Sequence, residues 1–201
     1  MRYIVEKTDI INPGIDSAEW NKAQAGKVSE QMWQKYYQKI NTTFKLLRGP
    51  QGISVLMHTD EKNLRAVNLE ENSKVCEDSC MEFFFKPDPW DLNYVNFELN
   101  PNGAMFLSVG TDRYNRKLLD TDREIFKIES LPEEGNWLLK FYIPDEFLFK
   151  HFNKIADVCR GNFYKCGDFT DHTHFISWSG VEVKEPDFHV PDFFGQLEFK
   201  K

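Results

Sequence analysis

The chain has 201 residues, a formal charge of -7 and 41% hydrophobic residues, which fits one soluble all-β domain of ordinary to large size. The negative balance repels phosphate backbones, and no Lys/Arg cluster with interleaved aromatics offsets it, so nucleic acid is excluded as a partner. No run approaches the ~20 apolar residues that span a bilayer, and the amino terminus lacks the apolar stretch of an export signal. The sequence as written therefore predicts no membrane partner and a cytoplasmic location, or an extracellular one if it is a trimmed mature chain.

In chain order, Asn12-Pro13-Gly14 is turn chemistry, and Ser29 to Ile40 places Met32, Trp33, Tyr36 and Tyr37 at a spacing that fits either a helix or a loop. Strands are then predicted at Thr43 to Arg48, Ile53 to His58, Arg65 to Leu69, Cys80 to Lys86 and Tyr94 to Asn100. Further strands follow at Ala104 to Val109, Glu124 to Glu129, Trp137 to Ile143, Gly161 to Cys166 and Gln196 to Lys200. Pro144-Asp145-Glu146 opens one short amphipathic helix through about Ala156, with Leu148, Phe152 and Ile155 on one face. Asp168 to Gly180 reads as a loop that carries polar residues suited to binding. Ten strands and 18 Phe residues suffice for an antiparallel β-sandwich spanning residues 1–201.

Strand alternation sorts the faces. Met81, Phe83 and Phe85 point one way, as do Val95, Phe97 and Leu99; Glu82, Asn96, Glu98 and Tyr164 then share the opposite face if the three strands are neighbours. Carboxylates, an amide and a phenol are the groups that recognise sugar hydroxyls, and they are equally what solvates an exposed sheet face. Cys76, Cys80, Cys159 and Cys166 fit no paired zinc-knuckle template and read as buried free thiols. Glu82 and Glu98 could also serve as the carboxylate pair of a glycosidase.

The wording of two regions is more specific. Glu77-Asp78-Ser79-Cys80-Met81-Glu82-Phe83-Phe84 with Tyr94-Val95-Asn96-Phe97-Glu98-Leu99-Asn100, and Asn162-Phe163-Tyr164-Lys165-Cys166-Gly167-Asp168 with Ser177-Trp178-Ser179, resemble segments of the family 9 carbohydrate-binding modules. The resemblance implies a jelly-roll-like sandwich related to the DOMON superfamily, with no catalysis and no required cofactor. A mono- or oligosaccharide end would lie on one sheet face, held by aromatic stacking and hydroxyl hydrogen bonds.

By residue match, Trp178, which on its own reads as core, becomes a stacking platform, and Glu82 becomes a hydrogen-bonding carboxylate. Asn96, Glu98, Tyr164 and His174 complete the expected ligand-binding set. The second stacking tryptophan of the family has no counterpart at Val75-Cys76-Glu77, which leaves Trp90 and Trp33 as replacements. The resemblance also admits structural calcium, for which Asp168, Asp171 and His172 are the loose oxygen-rich group, and haem held by Met57, Met81 or Met105 with a histidine.

Overall fold

The computed structural model describes residues 1–200. Among the described residues, thirteen strands form two facing sheets. They are β1 (Arg2–Lys7), β2 (Gly26–Val28), β3 (Thr42–Gly49), β4 (Gly52–Thr59), β5 (Cys80–Lys86), β6 (Tyr94–Leu99) and β7 (Met105–Gly110). The remainder are β8 (Arg116–Leu118), β9 (Glu129–Glu133), β10 (Asn136–Pro144), β11 (Val158–Gly167), β12 (His174–Ser177) and β13 (Gly195–Phe199). One sheet runs β8-β7-β6-β5-β11-β13-β1 and the other β1-β3-β4-β10-β9. The first strand joins them, since Arg2 to Val5 pair with β13 and Glu6 and Lys7 with β3. Both of its ladders are parallel, so the sandwich is mixed at this strand and antiparallel in every other ladder.

The space between the sheets is filled by the residues that alternation places inward. Phe44 stacks on Phe163 with centroids 3.6 Å apart, and Phe163 stacks on Phe83 at 4.3 Å. Phe97, Phe85, Val55, Met57, Leu139 and Phe141 extend the same core, all fully buried. Each aromatic removed from water contributes roughly 1.5–3 kcal/mol, which makes this stack the main source of cohesion between the layers.

The single helix, α1, is shorter than expected, Asp145–His151 rather than a run to Ala156. Its acids sit at its start, where Asp145 accepts a two-pronged bond from Arg48 at 2.5 and 2.8 Å, and Phe147 and Leu148 face the core. Two predicted strands are not ladders. Arg65 to Leu69 joins no strand ladder, with the Asp78 carboxylate accepting from the Val67 and Asn68 amides in place of a neighbouring strand. Within Glu124 to Glu129, Arg123–Phe126 forms a 3-10 turn capped by Asp122, and β9 begins only at Glu129.

Ser29 to Ile40 is loop with one 3-10 turn at Gln34–Tyr36. The thiols are free as expected, three of them buried and Cys76 half-buried. Among the described residues no helix is long and apolar enough to cross a membrane.

Candidate functional site

The strands β6, β5 and β11 are adjacent, so the condition for a shared polar face is met. Glu98 lies directly opposite Glu82, and Glu82 directly opposite Tyr164, forming one row across three strands. Asn96 lies one pair further along its strand from Glu98, opposite Phe84. This face is not solvated. Residues 181–194 and Trp33 fold over it, and Phe84, Tyr94, Tyr164, Val181, Phe188 and Phe194 form a second core. Asn162 anchors the cover by exchanging side-chain bonds with the Ser179 backbone at 2.8 and 2.9 Å, while the Tyr164 hydroxyl donates to the Phe188 carbonyl.

Between sheet and cover remains a cleft of about 130 Å³, lined by Glu82, Glu98, Arg113, Arg116, Asp168, Asp187, Phe188, His189 and Phe175, with Cys76, Cys166 and Pro186. At ~30 Å³ per water it holds a handful of waters or hydroxyls. Other depressions are wider, such as one of about 630 Å³ lined by Asn12, Arg123 and Ser130, but the two buried glutamates converge only on the smaller cleft.

Burial at 3% and 5% exposure sets the chemistry of the two glutamates. Desolvation, then the charge of Glu98, pushes Glu82 well above the usual carboxylate range. Glu98 is pushed up to about 7 by burial, an effect moderated by Arg116 and Arg113. Burial of two neighbouring carboxyls favours the protonated form of Glu82, so the pair offers a donor as well as acceptors.

Arg116 lies 3.4 Å from Glu98 and donates to His189 Nε2 at 3.0 Å, with its guanidinium over the Phe106 ring. That bond makes Nε2 an acceptor, which leaves Nδ1 to donate to the Tyr94 hydroxyl oxygen at 2.6 Å. Burial and the two arginines keep this imidazole neutral. Arg113 is fixed by Asp187 at 3.1 Å, in a loop whose shape Asp112 sets by accepting from the Tyr114 and Asn115 amides.

The expected ligand set divides. Glu82 and Glu98 line the cleft; Asn96 supports it from behind, donating to Glu98 at 2.7 Å and accepting from Ser108; Tyr164 lies under the cover, stacked on Phe188 at 4.0 Å. His174 is on the other side of the sheet, its Nε2 2.9 Å from the Lys165 amine. Trp178 is 5% exposed and inside the core between the sheets, edge-on to Tyr3, Phe44 and Phe163. A stacking platform needs a free ring face, which Trp178 lacks, so the stacking role expected for it is corrected to core packing. Trp33 is likewise buried, with its indole N–H bonded to the Val183 carbonyl, and Trp90 is exposed but lines none of this cleft.

Phe175, which alternation on a short strand inside an expected loop could not assign, is the half-buried aromatic of the cleft. Arg113, Arg116 and Asp187 also escaped the sequence reading. The available signal was the β6–β7 hairpin, whose register brings residues just past Gly110 over the end of the polar face.

Asp168 lines this cleft, whereas Asp171 and His172 line another, so the three do not fit a shared calcium ion. Met57, Met81 and Met105 are fully buried between the sheets and offer no thioether to a haem.

Fold and cleft define a β-sandwich module with a walled polar cleft on one sheet. Residues 15–199 match the sequence profile of carbohydrate-binding family 9, and the chain belongs to that family. A structure from Bacteroides uniformis ATCC 8492, described as a candidate carbohydrate-binding protein, is 29% identical over 99% of both chains with a TM-score of 0.87. Two structures of a family 9 module from Caldicellulosiruptor kristjanssonii share the fold at 14% identity. The complex with glucose has a TM-score of 0.70 and covers 100% of this chain and 96% of that one; the complex with cellotriose has 0.69, with 100% and 94%. No protein in the curated collections matches the sequence.

Proposed function

We propose that this chain binds the end of a mono- or oligosaccharide in the Glu82–Glu98 cleft and does no chemistry on it. The observation that carries the proposal is the opposed pair Glu82 and Glu98, with Arg116 and Arg113 beside it and Phe175 and Phe188 as apolar walls. A sugar hydroxyl both donates and accepts, and a site offering a protonated carboxyl, a carboxylate and guanidinium N–H groups answers both needs. The small volume suits the hydroxyl-bearing edge of one terminal ring better than the middle of a chain, and the binding of glucose and cellotriose by family 9 structures supports the ligand class.

Titration with glucose, xylose, cellobiose, xylobiose and cellobiitol, followed by calorimetry, tests this. Saturable binding is expected, weakened at least tenfold, about 1.4 kcal/mol, by Glu98→Gln and by Arg116→Met. Unchanged affinity in both variants refutes the cleft as the site. The facing carboxylates also allow a glycosidase reading. Release of phenol from an aryl glycoside, lost in Glu82→Gln and Glu98→Gln, would establish hydrolysis instead of binding alone.

A further inference from the structure

We propose that Cys80, Cys166 and Glu82 form a site for one thiophilic divalent cation of the zinc type, reached through the cleft. Cys80 and Cys166 are opposed in register on β5 and β11, and Glu82 is the next residue of β5 on the same face. One donor atom from each lies within 4.8 Å of the others, and Cys166 Sγ is already 3.0 Å from Glu82 Oε1. A tetrahedral zinc with Zn–S near ~2.3 Å and Zn–O near ~2.1 Å sets sulfur atoms about 3.8 Å apart and sulfur to oxygen about 3.6 Å. The three donors therefore reach that geometry by shifts of about 1 Å or slightly more, the Cys166–Glu82 pair opening and the others closing, within the range of small side-chain rotations on fixed strands.

Two thiol sulfurs select a soft or borderline ion over calcium or magnesium. Carboxyl residues outnumber guanidinium groups in the cleft, with Glu82, Glu98, Asp168 and Asp187 against Arg113 and Arg116. Cys166 and Glu82 open onto the cleft, so an ion has an entry path, and Cys76 lines the same space. Binding replaces the two thiol protons and the Glu82 proton, three protons leaving for each ion bound in its fully deprotonated site. The three donors need no sugar in the cleft to hold the ion.

The chain, stripped with chelator and kept under reducing conditions, is titrated with cobalt(II) and then zinc(II), without sugar. One equivalent of cobalt is expected to give the near-ultraviolet thiolate-to-cobalt charge-transfer band and the intense visible bands of a tetrahedral site, and zinc to abolish both stoichiometrically. Zinc should also raise the melting temperature. Cys166→Ser should remove the charge-transfer band or weaken affinity at least a hundredfold, with Cys159→Ser unchanged. No band in the wild-type chain, or a band that survives both Cys80→Ser and Cys166→Ser, overturns the proposal. Glu98→Gln separates the two readings, because it is expected to weaken sugar binding and leave one equivalent of cobalt bound.

Discussion

Replacing Trp178 with alanine is expected to remove about 3–5 kcal/mol of folding stability and to leave the sugar affinity of the folded fraction within about twofold of wild type. The indole fills the seam where β12, β11 and β1 meet the second sheet, touching Tyr3, Phe44 and Phe163. It lies flat against Gly195, where a Cβ would fall 2.5 Å from the indole Cζ3, so backbone and ring are fitted without slack. An alanine leaves a cavity that this fixed backbone cannot collapse to fill, and the cost is the lost transfer energy plus the void. Trp178→Phe should retain more than half of the lost stability. Urea unfolding with unchanged m values measures the loss. A Trp178→Ala protein of near wild-type stability that no longer binds sugar would restore the stacking role and contradict the core assignment.

The second large effect concerns a charge. Glu61→Ala is expected to cost about 3–5 kcal/mol, because it leaves the Lys165 ammonium buried without its counter-charge. Lys165 has no exposed surface; its ammonium pairs with Glu61 Oε2 at 2.8 Å and donates to the Cys166 carbonyl at 2.8 Å and to His174 Nε2 at 2.9 Å. His174 must stay neutral to accept that bond. Burial and the Lys165 charge hold its pKa down to about 3, and its Nδ1–H donates to the His172 carbonyl. The histidine that sequence reading assigned to the ligand thus positions a lysine on the opposite face. Replacing both charges, as in Glu61→Leu with Lys165→Met, should recover most of the loss, since removing a buried pair together spares the uncompensated charge. Equal destabilisation by the single and the double replacement would show that shape, not charge, dominates there.

Much of this architecture is legible in the sequence. The alternation in Cys80 to Lys86 and Tyr94 to Asn100 sorted inward and outward side chains correctly, because a period of two leaves no freedom once a strand is fixed. The fate of the outward face was not legible. Whether Glu82 and Glu98 meet water or a second core depends on residues 181–194, an irregular segment that no periodicity marks.

The Ser177-Trp178-Ser179 match carried residue types but not their direction. Direction is set by long-range pairing, in which the Trp178 amide donates to the Phe163 carbonyl and Asn162 holds Ser179, turning the indole inward. Arg65 to Leu69 misled for a related reason. Its composition is that of a strand, but the Asp78 carboxylate occupies the amides a neighbour would use, leaving Val67 and Leu69 exposed. Strand β1 escaped notice because its parallel partners are distant in sequence, β3 beyond the Ser29 to Ile40 segment and β13 at the far end of the chain.

The most direct test of the central claim is amide chemical-shift mapping of the isotopically labelled chain during titration with glucose or cellobiose. Saturable shifts are expected to concentrate at Glu82, Glu98, Arg113, Asp168, Phe175 and His189, with Trp178 and His174 nearly still. Shifts gathered instead around Asn12, Arg123 and Ser130, or around Asp60, Asp171 and His174, would place the ligand elsewhere and contradict it.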